Sequence, residues 1–425
     1  MVSSVGSGSI LFTPRVGSRY GYELLWAALL VAFLTWVIIR EIGRYTVVSG
    51  RSILEGYYGI PGPRGWIVWL IFLPGLASGI VVVAGIAALI GSALGIVLPE
   101  RQAYFAVGII LVSSALVVSG RYRHLEKVTA GLAAVLIVST VVTAIVVFPG
   151  FGPYAHGLAP VLPLDFDAHF VLPWFGFLLA GAAGMMWYSY WVAARGFGGP
   201  VFEEEEQDDE QGKAVSAAGR QASLRSWMII TGTTAAIGVV GATVVNVSFL
   251  TLGAELLAPL GIVPEGIRVA EDIARLLSDV WGPAGTWVFV TGIFVALWGS
   301  VLANQDGWGR MYADATLILL RRRGIDESSK PRRRLLLRNG YVIAVLTAAP
   351  VAVYLLLRDP VGILFIGGAI SAAHIPVVVS VTLYLNLRRL PRALAPGPVW
   401  IAATLAAVLF YAFFTGFYFY ELIFR

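Results

Sequence analysis

An apolar segment from about Phe170 to Ala194 is interrupted by Gly181-Ala-Ala-Gly-Met-Met-Trp-Tyr-Ser-Tyr-Trp191, with two glycines three residues apart. The flanks are apolar enough for a bilayer, so the interruption frees backbone carbonyls and amides at membrane depth. Such groups are tolerated only where protein or a water-filled cavity surrounds them. The segment therefore points to a binding site within a membrane protein, not to a plain anchor. A second small-residue stretch, Gly6-Ser7-Gly8-Ser9, directly precedes the apolar run Ile10 to Phe12. Paired interrupted segments in corresponding positions of two halves mark the substrate site of an inverted-repeat secondary transporter.

Composition sets the frame for these two breaks. Hydrophobic residues make up 58% of the 425, charged residues only 13%, and the mean hydropathy is +0.81. Soluble domains run at about half apolar and a quarter charged, so the chain is a multi-span membrane protein without room for a second, soluble domain. Cysteine is absent, which excludes disulfides, thiolate metal ligands and thiol catalysis. There is no glycine-rich phosphate loop with lysine, no His-Glu-x-x-His and no triad in a suitable context. An enzyme, a cofactor and a nucleic-acid partner are not expected; the expected partners are a transported cargo, a proton and the bilayer.

Apolar runs then give the span order. The first broken segment is followed by Tyr22 to Ile39, Trp66 to Leu98, Ala103 to Val118, Val128 to Phe148, Phe170 to Ala194, Trp227 to Leu252, Ala284 to Ala303, Tyr341 to Leu357, Val361 to Leu385 and Val399 to Tyr420. That is about eleven spans. As one helix, Trp66 to Leu98 would be about 50 Å long against a hydrocarbon core of about 30 Å; with Pro74-Gly75 inside it, it reads as one kinked, tilted span. Alternating sides from an outer first connection leaves only Arg15, Arg19, Arg101, Arg268, Arg275, Arg358 and Arg425 of the 30 Lys and Arg residues outside. The positive-inside rule thus supports the topology and the single-span reading of Trp66 to Leu98. A multi-pass protein of a prokaryotic plasma membrane is expected.

Two polar segments connect the spans. Glu203-Glu-Glu-Glu-Gln-Asp-Asp-Glu210, within an acidic cytoplasmic loop over 197–222, is a like-charge block and reads as a solvated linker. Pro264 to Val280 carries Ile267, Val269, Ile273, Leu276 and Leu277 among charges and predicts an amphipathic helix on the outer surface.

At this point Gly6 to Ile10, Gly17 to Trp26, Arg40 to Tyr45, Ser49-Gly50, Leu54 to Gly56, Gly62 to Arg64, Gly181 to Trp191, Ile370 to Pro376 and Leu383 to Asn386 together resemble the Nramp family of divalent-metal transporters, in particular its divergent prokaryotic members. The resemblance implies an all-α, LeuT-like 5+5 inverted repeat plus an additional helix, with the first and sixth helices broken at the midplane. On that frame the first repeat covers 1–148, the second 170–385 and the additional helix 399–420. Only five residues precede Gly6, whereas a half-helix needs about ten at 1.5 Å each, so the first half-helix is expected to be absent or to lie upstream.

The resemblance also carries a metal site. The family's Asp-Pro-Gly-Asn motif falls on Gly6-Ser7-Gly8-Ser9, so its aspartate position is Gly6 and its asparagine position is Ser9. Its Met-Pro-His motif falls on Met185, Met186 and Trp187. The thioether survives and the carboxylate does not. A divalent cation in a low-dielectric site without an anion loses desolvation energy that neutral oxygens offset only in part. Thioether and carbonyl groups still suit transition metals, while Mg²⁺ and Ca²⁺ usually demand carboxylates.

The candidate residues follow. Gly6, Ser7, Gly8, Ser9, Gly181, Ala182, Gly184, Tyr188 and Ser189 are candidates for substrate binding, and Ser9, Ala182 and Met185 for metal ligation. Methionine in a helix also fills cores, and the aromatic residues after the break also pack against neighbours. His374, beside Pro376 inside a span, is a candidate on a proton path, or else donates to a carbonyl that the proline frees. Asp306 is a second proton-path candidate, or a structural partner of Arg310; Asn246 is expected to bridge helices.

The function expected is a secondary transporter moving a divalent metal cation by alternating access, with proton coupling through His374. A LeuT-fold carrier of a small organic solute is the alternative that the missing aspartate favours. A non-transporting membrane sensor or truncated remnant is the alternative that the abrupt start favours.

Overall fold

A computed structural model of the chain describes residues 6–63, 65–120, 123–198, 217–321 and 331–424. Among these, all regular structure is helical. A wide helical turn at Gly8–Phe12 leads into α1 (Thr13–Tyr20), followed by α2 (Leu25–Ser49), the short α3 (Ile53–Tyr58), α4 (Trp66–Gly95), α5 (Gln102–Ser119) and α6 (Arg123–Val146). After α7 (Phe151–Gly157) the broken span follows as α8 (Ala168–Phe177) and α9 (Ala182–Ala194). The remainder is α10 (Ala217–Leu252), α11 (Val269–Trp281), α12 (Pro283–Arg321), α13 (Pro331–Ile343), α14 (Ala349–Leu357), α15 (Pro360–Arg388) and α16 (Pro398–Phe424). The acidic run Glu203 to Glu210 lies outside the described residues.

Among the described residues nine helices are long and apolar enough to cross a membrane. The end of α6 and α7 form a tenth, bent by 107°. Trp66–Gly95 is one helix with Pro74 inside it, as the charge bias requires. Several helices outrun their apolar cores: α12 is 39 residues, or about 60 Å, so its second half projects well beyond a 30 Å core on the inner side. The outer amphipathic helix is α11, which buries Val269, Ala270, Ile273, Ala274, Leu276 and Leu277.

Packing in a bilayer gains little from hydrophobic transfer, so small residues that let backbones approach become decisive. On the outer side α1 crosses the end of α10 at two reciprocal points. A Cβ on Gly17 would lie 2.2 Å from the Leu250 carbonyl oxygen, and one on Gly253 would lie 2.2 Å from that of Pro14. Ser18 Oγ donates to the Ile262 carbonyl nearby. One hydrogen-bonded node ties three helices together: Trp174 Nε1 donates to Thr13 Oγ1 at 2.9 Å, and Thr13 Oγ1 also lies 2.9 Å from Asn246 Oδ1. Asn246 thus bridges helices, as its position within an apolar span requires.

The inner end of α2 holds a buried charge cluster that the sequence marks only as the end of a span. Glu41, 1% exposed, accepts from Arg40 Nη1 at 2.6 Å, Arg44 Nε at 2.9 Å and Asn386 Nδ2 at 3.1 Å. Arg44 Nη1 also donates to the Leu394 carbonyl at 2.9 Å, and the Arg40 guanidinium lies 3.5 Å from the centre of the Trp400 ring. Buried ions are tolerated when geometry and hydrogen bonds complete one another, and this cluster fastens α2 to α15, the turn after it, and α16.

Candidate functional site

The second break falls at Leu178–Gly181, slightly before the Gly181-to-Gly184 stretch that the sequence marks. Helix resumes at Ala182, so Gly184 sits in the first turn of α9. Ser371 of α15 decides where. Its Oγ donates to the Gly176 carbonyl at 2.9 Å and accepts from the Ala182 N–H at 3.0 Å, capping both half-helices with one hydroxyl. This is possible because α8 and α15 touch backbone to backbone: a Cβ on Gly176 would lie 2.1 Å from the Gly368 carbonyl oxygen. Among the described residues, no backbone N–H bonds to the carbonyls of Leu178, Leu179 or Ala180.

The first break lies beside the second. Gly6 is a bend, Ser7 already has helical dihedrals, and the Gly6 carbonyl accepts from the Ile10 N–H at 3.1 Å. The stretch is thus the start of a wide-turned helix, and its unwound part is limited to Gly6. Wide turns of this kind recur at functional sites. A Cβ on Gly8 would lie 1.9 Å from the Phe177 carbonyl oxygen, which packs the start of the wide-turned helix against the last residue of α8, next to the second break. Ser9, 1% exposed, carries a hydroxyl without a hydrogen-bond partner. A Cβ on Gly6 would lie 3.7 Å from Ser300 Oγ, so α12 also faces this point.

The remaining candidates divide. Ala182 is held at the break by Ser371, and Met185 is buried one turn further along α9. His374 lies one turn beyond Ser371 on α15, 6% exposed, and its Nε2 has no partner. Tyr188 and Ser189 have their hydroxyls engaged elsewhere. Tyr188 donates to the Thr231 carbonyl at 2.8 Å; Ser189 donates to that of Met186 at 2.7 Å and accepts from the Ile53 N–H at 3.3 Å. These two fasten α9 to α10 and α3. Asp306 pairs with Arg310 at 2.9 Å and with Arg338 at 2.7 Å, the structural arrangement that its neighbour Arg310 foreshadows.

Sequence reasoning missed Ser371 and Ser300 as neighbours of the breaks. It also missed Arg15. This guanidinium on α1 is 4% exposed; its Nη2 meets Glu265 at 3.1 Å and its Nε and Nη1 have no partner. Both guanidiniums lie over the Phe170 ring, Arg15 at 4.9 Å and Arg19 at 4.7 Å from its centre. The one available signal was the presence of two arginines in a broken apolar segment. Among the described residues no three His, Asp or Glu side chains converge into a metal-holding cluster.

With this geometry, similarity to known proteins becomes specific. The chain is 23% identical over 337 residues to the uncharacterized protein PM0681 of Pasteurella multocida, covering 75% of this chain and 69% of that one. It is 27% identical over 173 residues to the divalent metal cation transporter MntH of Klebsiella pneumoniae, covering 38% and 40%. The fold matches a crystal structure of the Eremococcus coleocola manganese transporter with TM-score 0.67 at 15% identity, over 97% of this chain and 83% of that one. Helix order, two adjacent breaks and a LeuT-like architecture agree with the match of residues 1–421 to the family model Nramp, natural resistance-associated macrophage protein-like, and the chain belongs to the Nramp family.

Proposed function

We propose that the protein is a secondary transporter that carries a divalent metal cation between its two broken helices by alternating access. The observation that carries this reading is the close packing of the first wide-turned helix on the end of α8, where the second break begins. Gly8 abuts Phe177, the neighbouring Ser9 Oγ is unpartnered, and the carbonyls of Leu178, Leu179 and Ala180, which follow Phe177, bond to no backbone N–H among the described residues. Neutral oxygens with the Met185 thioether favour a transition ion such as Mn²⁺ over Mg²⁺ or Ca²⁺. In this reading residues 1–148 form the first repeat, 170–385 the second and 399–420 the additional helix. His374, buried with an unpartnered Nε2 beside the strap residue Ser371, carries the coupled proton; Asp306, occupied by two arginines, serves as a brace.

Calorimetric titration of the purified protein with Mn²⁺, Mg²⁺ and Ca²⁺ tests this reading. Saturable Mn²⁺ binding that Met185→Ala weakens supports it, and no binding of any of the three sinks it. In proteoliposomes an inward proton gradient should drive Mn²⁺ accumulation, and His374→Gln should uncouple uptake from that gradient.

One observation favours a second reading. Arg15 puts a buried positive charge about 9 Å along the helix from Ser9, six residues at 1.5 Å each. Such a charge opposes a cation and attracts a carboxylate, as a carrier of small organic acids requires. Uptake of radiolabelled amino acids with no response to Mn²⁺ decides for this alternative.

A further inference from the structure

We propose that Ser300 and Asn304 of α12 form the wall of the cargo gap opposite the two breaks, and that Trp187 of α9 is its floor on the cytoplasmic side. The proposal rests on the transport reading and adds the residues that face and retain the cargo.

Three observations on one helix stripe carry it. Ser300, Asn304 and Gly307 recur at four- and three-residue spacing, which aligns them on one face of α12. At the upper end of the stripe Ser300 faces Gly6, the bend that starts the first broken helix. At the lower end a Cβ on Gly307 would lie 2.8 Å from Trp187 Cε2, so the indole lies flush against the α12 backbone where only glycine leaves room. Trp308 completes the contact edge-to-face, with ring centroids 5.5 Å apart at 88°. The α12 face therefore meets Trp187 one turn to the cytoplasmic side of Asn304 and meets Gly6 at its upper end.

The polar atoms agree with a lined gap. Asn304 Nδ2 donates back to the Ser300 carbonyl at 2.8 Å, which holds the side chain along the stripe. Ser300, Asn304 and Gly307 are all half-buried on a helix whose neighbouring Val301, Leu302 and Gln305 are fully buried. The Nε1 groups of Trp187 and Trp308 are buried with no partner. Unpaired buried donors are costly, and here they stand at the bottom of a gap whose walls otherwise supply neutral oxygens. Asn304 Oδ1 and Ser300 Oγ add two oxygens to a site that lacks a carboxylate. The Trp187–Gly307 contact sets the barrier between that site and the cytoplasm, and it involves no titratable group.

The absence of native cysteine makes the test direct. Ser300→Cys is labelled in inside-out vesicles with a water-soluble thiol reagent, alone and combined with Trp187→Ala or Trp187→Phe. The expected result is slow labelling that Trp187→Ala accelerates by about tenfold or more, while Trp187→Phe, which keeps a ring over Gly307, stays slow. Equal rates in all three overturn the floor. In the protein with Trp187 intact, Mn²⁺ should slow labelling of Ser300→Cys, and Asn304→Ala should weaken calorimetric Mn²⁺ binding by about tenfold. Mn²⁺ that binds the parent protein without either effect overturns the wall. A parent protein that binds no Mn²⁺ is instead a failure of the metal reading; the wall and floor are then judged by labelling alone, Ser300→Cys inert to reagent even with Trp187→Ala overturning both.

Discussion

Ser371 and Gly176 are joined across the α8–α15 contact by a 2.9 Å hydrogen bond, and the same serine oxygen receives the Ala182 N–H at 3.0 Å. One side chain therefore ends one half-helix and begins the next, which fixes the length of the break and leaves the carbonyls between them available.

Ser371→Ala removes both bonds and leaves a buried carbonyl and a buried N–H without the hydroxyl. The expected cost is about 1–3 kcal/mol for each unsatisfied group, seen as a lowered unfolding temperature in detergent. Transport should fall further than stability alone accounts for, because the geometry of the break is lost. Ser371→Thr, which restores the hydroxyl, should recover part of both. Transport by Ser371→Ala at the parental rate would show that the break is held by other contacts.

Gly6 and Gly8 differ by two residues in sequence and sharply in tolerance. A Cβ at Gly8 meets the Phe177 carbonyl oxygen at 1.9 Å, a backbone atom that cannot swing aside, whereas one at Gly6 finds only Ser300 Oγ at 3.7 Å, an ordinary contact. Gly8→Ala should therefore part the two breaks and yield little folded transporter, while Gly6→Ala should express and melt like the parent. Size-exclusion profiles and thermal melts of the two proteins side by side decide the matter.

The cluster at the inner end of α2 gives a third outcome. Glu41→Ala leaves Arg44 buried without its carboxylate and frees Asn386 Nδ2 from one of its two acceptors. Breaking a buried pair by removing one partner costs about 3–5 kcal/mol, so this substitution should be among the most destabilising single changes in the chain. Replacing Asp306 should cost less, because its side chain is 14% exposed against 1% for Glu41, its partner Arg310 is 57% exposed, and its buried partner Arg338 keeps a bond to the Val117 carbonyl. A comparison of chemical or thermal unfolding for Glu41→Ala and Asp306→Asn checks the ranking.

Much of this architecture was legible from patterns along the chain, because apolar run length and the side preference of Lys and Arg act locally. Trp66–Gly95 as one span and α11 as an amphipathic outer helix follow from those patterns. Features that depend on distant partners were not. The second break ends at Gly181 instead of spanning Gly181 to Gly184, because the capping hydroxyl belongs to Ser371, 195 residues from Gly176. Tyr188 and Ser189 look like cavity residues in sequence, yet Thr231 and Ile53 occupy their hydroxyls. Arg310 is visible as a partner of Asp306 from its four-residue spacing, but Arg338 is not. Ser300 and Asn304 read as ordinary polar residues near a span end until Gly6 and Trp187 are placed against their face.

The missing carboxylate offers the most direct control over cargo charge. In the metal reading the site binds its ion with neutral groups only, so adding one negative charge beside them should tighten binding more than any neutral change. Gly6 is the place for it: the position that the family resemblance assigns to aspartate has room for a side chain, with Ser300 Oγ at an ordinary 3.7 Å from the new Cβ. A carboxylate about 4 Å from a divalent ion at a partly solvated site gains several kcal/mol of Coulomb energy before desolvation, and about 1.4 kcal/mol of net gain is tenfold in affinity. Gly6→Asp should therefore bind Mn²⁺ at least about tenfold more tightly than the parent, and should extend binding to Mg²⁺ or Ca²⁺, which carboxylates favour. Calorimetry on the two proteins measures this directly. An organic-acid carrier gives the opposite sign: the added charge repels the carboxylate, uptake of the anion falls, and Mn²⁺ affinity does not change.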